Sequence, residues 1–187
     1  MSYDHLRVTE GLTTSVQRAV GVPERGHEKL GELVKGIAAE RWVQRPEHLI
    51  SEEPTRHEVR VDGRTLHTFC FVDALMLPFV LEEGTIEVRS DSPTGGGVSA
   101  FVTEGGVEGS PPGAVVSFGA ARAEEGTVCE TLCPYLNAFP SRADYKRWAG
   151  RTPEAVTVVL SLQEAFALAR DWTSGASEDR EGERCCC

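Results

Sequence analysis

The residues best suited to chemistry are Cys70 and Asp73, a thiol followed three positions later by a carboxylate. The surrounding pattern predicts a strand that runs into a helix with Cys70 at the junction. Because backbone N–H groups at a helix start favour negative charge, we expect this position to lower the pKa of the thiol. Asp73 falls on the same helical face, where it could carry a proton. The same residues also fit a purely structural interpretation, in which Cys70 is a buried free thiol and Asp73 is a first-turn aspartate that interacts favourably with the helix dipole.

The other cysteines carry weaker signals. Cys129 and Cys133 have a Cys-x3-Cys spacing, which indicates little alone because a structural zinc site normally takes four ligands. Residue types alone fit one packed and one partly exposed cysteine there, and packing is the expected role of Cys129. The run Cys185, Cys186 and Cys187 makes a poor disulfide framework, because adjacent cysteines cannot easily pair in separate bridges.

Charge and hydropathy exclude several function classes. The 187 residues carry a formal net charge of −10, which disfavours binding to nucleic acid or to anionic membranes. Residues 1–20 lack the apolar core of a secretory signal, and the longest apolar stretch, residues 69–81, is too short to span a bilayer. We therefore expect a cytoplasmic protein whose thiols stay reduced.

The elements that must position these residues follow from hydrophobic periodicity. Amphipathic helices are predicted at residues 12–20 and 28–41, and residues 56–69 read as a hairpin turning at Asp62-Gly63. A buried helix follows at residues 71–81, with Pro78 as a kink or stop. Further strands are predicted at 85–89, 98–103, 114–118 and 156–160, a turn at 105–113, and helices at 141–148 and 162–172.

This order predicts an α+β fold in which a small helical N-terminal domain sits on a mixed α+β catalytic domain with a core sheet. The predicted domains are residues 1–55 and 56–173, followed by a disordered cysteine-ended tail at 174–187.

Several motifs in order along the chain carry a family resemblance. They are Phe-Cys-x-x-Asp-Ala-Leu-x-x-Pro at residues 69–78, Thr94-Gly95, the Cys133 segment with a following Ser-to-Trp helix, and Ser-Leu-Gln-Glu-Ala-Phe-Ala-Leu at 161–168. Together they make residues 58–172 resemble the catalytic domain of the organomercurial lyases, or alkylmercury lyases. The chain departs from that pattern where Pro134 and Asp91 stand in place of cysteines. Its N-terminal region is also shorter than the winged-helix-like domain that the resemblance implies.

The resemblance implies cleavage of carbon–mercury bonds by protonolysis, with Cys70, Asp73 and Cys133 as the catalytic residues. Cys70 would take the organomercurial and Cys133 would add a second thiolate, which suits a very soft metal. Asp73 would deliver a proton to the leaving carbon, and Hg(II) would remain between Cys70 and Cys133. No cofactor is implied, because mercury is substrate and product, but external thiols are needed for turnover.

The expected partners are an organomercurial substrate and an acceptor of Hg(II), either a mercuric reductase or a low-molecular-weight thiol. Cys185, Cys186 and Cys187 are candidates for handing Hg(II) onward by ligand exchange. The main alternative is a soft-metal (Hg or Cu) thiolate-binding or trafficking protein without lyase activity. Two further alternatives are a related enzyme that uses the same site on a different substrate and a metal-responsive DNA-binding regulator.

Overall fold

The predicted α+β fold class is confirmed. The computed structural model describes residues 2–41, 45–81, 84–122 and 125–174. Its helices are α1 (Glu10–Val20), α2 (Leu30–Glu40), α3 (Phe71–Leu81), α4 (Val128–Thr131), α5 (Arg142–Ala149) and α6 (Leu162–Thr173). Its strands are β1 (Ile50–Ser51), β2 (His57–Val61), β3 (Arg64–Thr68), β4 (Ile86–Asp91), β5 (Gly97–Thr103), β6 (Gly106–Ser110), β7 (Val115–Ala121), β8 (Ala138–Phe139) and β9 (Ala155–Ser161). Within these ranges no helix is both long and apolar enough to cross a membrane.

The strands form two antiparallel sheets. One has six strands in the order β1-β3-β2-β4-β5-β6, and the other has three in the order β8-β7-β9. The predicted hairpin is present between β2 and β3, with positive φ at both Asp62 (48°) and Gly63 (73°). Positive φ at both central residues is the requirement of the tight hairpin turn that Asp-Gly favours.

Helix α3 is the central buried element. It packs against α6 and against strands of the larger sheet, and most of its side chains are buried. An evenly apolar helix of this kind is stable only inside a core. Pro78 lies within the helix and does not end it.

The two N-terminal helices pack onto the rest of the molecule. Helix α1 is capped by Thr9 at its start and by Gly21, with φ of 70°, at its end; it contacts β7. Helix α2 contacts α6. The division at residue 55 and the winged-helix-like form remain predictions. Residues 175–187, which make up nearly all of the predicted tail, lie outside the described residues.

Strand β6 was not predicted, because Gly105 and the residues that follow it look like a turn. Its pairing with β5 overrides that local preference. Gly109 allows a close approach to α6, since an added Cβ would lie 2.3 Å from Cδ2 of Leu162. The short helix α4 and the 3₁₀ turn Cys133–Tyr135 were also not predicted.

Candidate active site

Cys70 lies between the end of β3 and the start of α3, as the sequence predicts. Its carbonyl accepts a hydrogen bond from Thr68 Oγ1 at 2.9 Å. The preceding residue, Phe69, donates its backbone N–H to Leu49 O at 3.3 Å. The junction is therefore held by the Thr68 side chain at one end and by the Leu49 backbone at the other, and Cys70 lies inside the core with 0% exposure.

Cys70 and Asp73 are joined by two reciprocal hydrogen bonds. The Cys70 N–H donates to Asp73 Oδ2 at 2.9 Å, and the Asp73 N–H donates to Cys70 Sγ at 3.3 Å. This is the pattern of a helix capping box, with a thiol sulfur in place of the usual hydroxyl. The first turn of α3 thus fixes the sulfur and the carboxylate relative to each other.

Cys133 begins a 3₁₀ turn that strand β7 holds in place. Ser117 Oγ on β7 donates to Tyr135 O at 2.7 Å and accepts the Asn137 N–H at 3.0 Å. The first residue of α3, Phe71, donates its N–H to Leu136 O at 3.0 Å. These non-local bonds bring the Cys133 segment against the start of α3.

The result is a buried cluster of two sulfurs and one carboxylate. Sγ of Cys70, Sγ of Cys133 and a carboxylate oxygen of Asp73 all lie within 4.8 Å of one another, although Asp73 as a whole residue keeps some exposed surface. The structure therefore brings together the three residues that the sequence singled out. Two thiolates at this separation suit a soft ion with a preference for sulfur.

The protonation of the cluster differs from the sequence expectation. Burial, the hydrogen bond to Cys133 and the negative charge of Asp73 raise the pKa of the Cys70 thiol well above its usual range. The predicted lowering by the helix start is therefore wrong for the unligated protein. Burial also raises the pKa of Asp73 to about 7, against the opposing hydrogen bonds from Cys70. Asp73 can therefore both bind and release a proton near neutral pH, as a proton-transfer reaction requires.

A cavity of about 340 Å³ opens beside Cys133. Its other lining residues are Phe69, Pro134, Asn137 and the segment Thr55-Arg56-His57. Cys133 is a lining residue with 6% exposure, whereas Cys70 lies deeper with 0%. Of the two site cysteines, a small molecule that enters this cavity therefore meets Cys133 first.

His57 belongs to this site and was not recognised from the sequence. Burial, together with the nearby charge of Arg56, lowers the pKa of His57 to about 3, so its ring is neutral. Its Nδ1 pairs with Ser90 Oγ at 2.9 Å. The period-two pattern of His57, Val59 and Val61 could have indicated that this side chain faces the core.

Residues 50–174 match the family model of the alkylmercury lyases (MerB). The chain belongs to the alkylmercury lyase family.

Individual relatives in this family are identical to the chain at about a quarter of the aligned positions. The alkylmercury lyase of Staphylococcus epidermidis is 28% identical over 135 residues, which are 72% of this chain and 61% of that protein. The Streptomyces lividans alkylmercury lyase is 25% identical over 137 residues, which are 73% of this chain and 63% of that protein. The chain thus matches about three fifths of the length of these lyases.

The fold is also similar to that of a solved structure. The crystal structure of the mercury-bound form of MerB2 superposes with a TM-score of 0.57 at 20% identity, covering 89% of this chain and 82% of that chain. This similarity concerns the fold.

Of the remaining cysteines, the structure describes Cys129 but not the three at residues 185–187. Cys129 is half-buried in α4 and packs against the hydrophobic core. Cys185, Cys186 and Cys187 lie outside the described residues.

Proposed function

We propose that this chain is an organomercurial lyase that cleaves carbon–mercury bonds by protonolysis, giving a hydrocarbon and Hg(II). The observation that carries the proposal is the cluster of two cysteine sulfurs and one carboxylate within 4.8 Å. Membership of the alkylmercury lyase family and the names of the relatives support it. The reaction belongs in the cytoplasm, where the thiols stay reduced.

The reaction begins at Cys133, because Cys133 lines the cavity and Cys70 is not among the residues that line it. This order reverses the one that the family resemblance implied. The Cys133 thiol loses its proton as its sulfur displaces the ligand X of an organomercurial R–Hg–X, which forms Cys133–S–Hg–R and releases H–X. No electrons are exchanged in this step, since one mercury ligand replaces another.

Carbon–mercury cleavage then uses Cys70 and Asp73 together. As the Cys70 sulfur bonds to mercury, its proton passes to the Asp73 carboxylate. Two hydrogen bonds between Cys70 and Asp73 hold this carboxylate in the same helical turn as the sulfur. Asp73 transfers a proton to the carbon, which leaves as R–H with the electron pair of the carbon–mercury bond. Asp73 is again a carboxylate, and Hg(II) is held between Cys70 and Cys133. A carboxyl with a pKa of about 7 can both accept and release this proton near neutral pH.

The proposed reaction needs no cofactor among its steps, since mercury is substrate and product. External thiols would remove Hg(II) from the two sulfurs by ligand exchange, with a low-molecular-weight thiol or a mercuric reductase as acceptor. We include Cys185, Cys186 and Cys187 as a hand-off site for Hg(II). Deleting residues 185–187 should slow transfer to an acceptor dithiol, and an unchanged transfer rate would remove this part of the proposal.

A soft-metal binding protein without lyase activity is the second candidate. The observation that favours it is the reciprocal pair of hydrogen bonds between Cys70 and Asp73, which gives Asp73 a structural role independent of catalysis. In that case the two sulfurs would hold Hg(II) or Cu(I), and Asp73 would only cap α3.

Turnover of phenylmercury under anaerobic conditions with excess small thiol tests the proposal. Benzene release should occur with the wild type and with Cys129→Ser, the matched control, and should be lost in Cys133→Ser. Tight mercury binding by the wild type with no benzene would move the protein to the metal-binding class.

A further inference from the structure

Among the described residues that line the cavity beside Cys133, Arg56 is the one whose side chain carries a charge. The other lining residues are neutral: a threonine, a phenylalanine, a proline, an asparagine, a cysteine and a histidine that burial keeps uncharged. Arg56 is exposed, and its backbone carbonyl is anchored by the Asp91 N–H at 3.0 Å. The cation is therefore attached to a fixed point of the cavity wall.

Arg56, which directly precedes β2, differs from Arg60 on β2 and Arg89 on β4. Arg60 pairs with Glu58 at 3.0 Å and Arg89 pairs with Glu87 at 2.9 Å. Within the part of the chain that the structure describes, Arg56 makes no ion pair. Its charge is thus available to a ligand, in a protein whose net charge of −10 otherwise repels anions.

We propose that Arg56 makes the site select organomercurials whose organic group carries an anionic substituent, such as an aryl carboxylate. This inference rests on the proposed function. When the mercury of R–Hg–X bonds to the Cys133 sulfur, the organic group occupies the cavity that Arg56 lines. A guanidinium binds a carboxylate through two parallel N–H donors, which fixes orientation as well as adding attraction.

Phenylmercury and 4-mercuribenzoate test this directly, because they differ by one carboxylate. The full-length chain would carry Cys129→Ser, Cys185→Ser, Cys186→Ser and Cys187→Ser, leaving only the two site thiols. The rate of mercuration by each compound would be followed by stopped-flow absorbance. We expect the ratio of the 4-mercuribenzoate rate to the phenylmercury rate to fall about three- to tenfold in Arg56→Gln. An effect of this size corresponds to the loss of one partly exposed ion pair together with some electrostatic steering of the anionic compound toward the site.

Three controls make the result specific. Arg56→Lys should keep part of the preference, whereas Arg60→Gln should leave the ratio unchanged, although it removes the same charge four residues further along the chain. In the protein that retains Arg56, about 0.5 M salt should reduce the ratio of the two rates, because salt screens the attraction between Arg56 and the carboxylate. An unchanged ratio in Arg56→Gln, or an equal fall in Arg60→Gln, would overturn the inference.

Mercuration precedes carbon–mercury cleavage, so the lyase proposal and the Arg56 proposal can be refuted independently of each other. If neither compound releases benzene or benzoate, the lyase is refuted while the rate ratio still decides the role of Arg56. If both compounds are cleaved and the ratio ignores Arg56, the lyase stands and the selectivity inference is wrong.

Discussion

Replacing Asp73 by asparagine should stabilise the protein at neutral pH and not at acid pH. The asparagine Oδ1 can still accept the Cys70 N–H that now bonds to Asp73 Oδ2 at 2.9 Å, so the cap of α3 survives. What disappears is the cost of ionising a buried carboxyl, whose pKa rises from 3.8 to about 7 in the folded state. At 1.36 kcal/mol per pKa unit, this cost reaches about 4 kcal/mol.

The sign follows from proton binding. Between pH 3.8 and about 7 the folded protein holds a proton on Asp73 that the unfolded chain has released. The wild-type free energy of unfolding therefore falls as pH rises through this window, by about 1.4 kcal/mol per pH unit from this group, and the loss is complete above pH 7. His57 acts in the opposite direction at lower pH, but it is common to both proteins. The difference between Asp73→Asn and wild type thus isolates Asp73.

Urea denaturation at pH 5 and pH 8 measures this difference, with reducing agent present. We expect the stability advantage of Asp73→Asn to grow by about 2–3 kcal/mol between these two pH values. Asp73→Ala should gain less, because it also loses the cap, which contributes about 1 kcal/mol. An advantage that does not change with pH would refute the burial of an ionisable carboxyl at this site.

Three further predictions concern His57, Gly119 and Ser117. The difference in unfolding free energy between His57→Gln and wild type should be about 3 kcal/mol more favourable to the variant at pH 4 than at pH 7, as measured by urea denaturation. The reason is that at pH 4 the His57 side chain of the wild type is protonated in the unfolded chain, whereas burial keeps it neutral in the folded protein. An equal difference at both pH values would contradict this. Gly119→Ala should cost about 1–3 kcal/mol in the same assay, since its Cβ would lie 2.2 Å from Val156 O, and an unchanged denaturation midpoint would contradict this contact. Ser117→Ala should cost about 1–3 kcal/mol and slow benzene release, because Ser117 Oγ holds the Cys133 turn on β7; full activity would show that the turn needs no such support.

Local features of the fold could be predicted from sequence. The bounds of α3 follow from its apolar run, and the hairpin follows from Asp62-Gly63, because both depend on neighbouring residues. The pairing of Cys70 with Asp73 was also predictable, since one helical turn joins them.

Non-local features could not be predicted in the same way. Cys133 reaches the cluster through hydrogen bonds between distant segments, such as Phe71 N–H to Leu136 O, and only the family resemblance suggested this approach. The direction of the Cys70 pKa shift was wrong because the helix start is visible in sequence, whereas burial is not. Strand β6 was missed because its glycines look like a turn until β5 and α6 are in place.

The most direct test of the central claim is a single turnover of phenylmercury in D₂O by wild type and Asp73→Asn. The measurement counts monodeuterated benzene released per mercury bound. The proposed mechanism predicts nearly one equivalent from the wild type, and a rate reduced by about 10²–10⁴-fold in Asp73→Asn with mercury still bound as the phenyl adduct. Benzene release at the wild-type rate by Asp73→Asn would contradict the role of Asp73 as proton carrier.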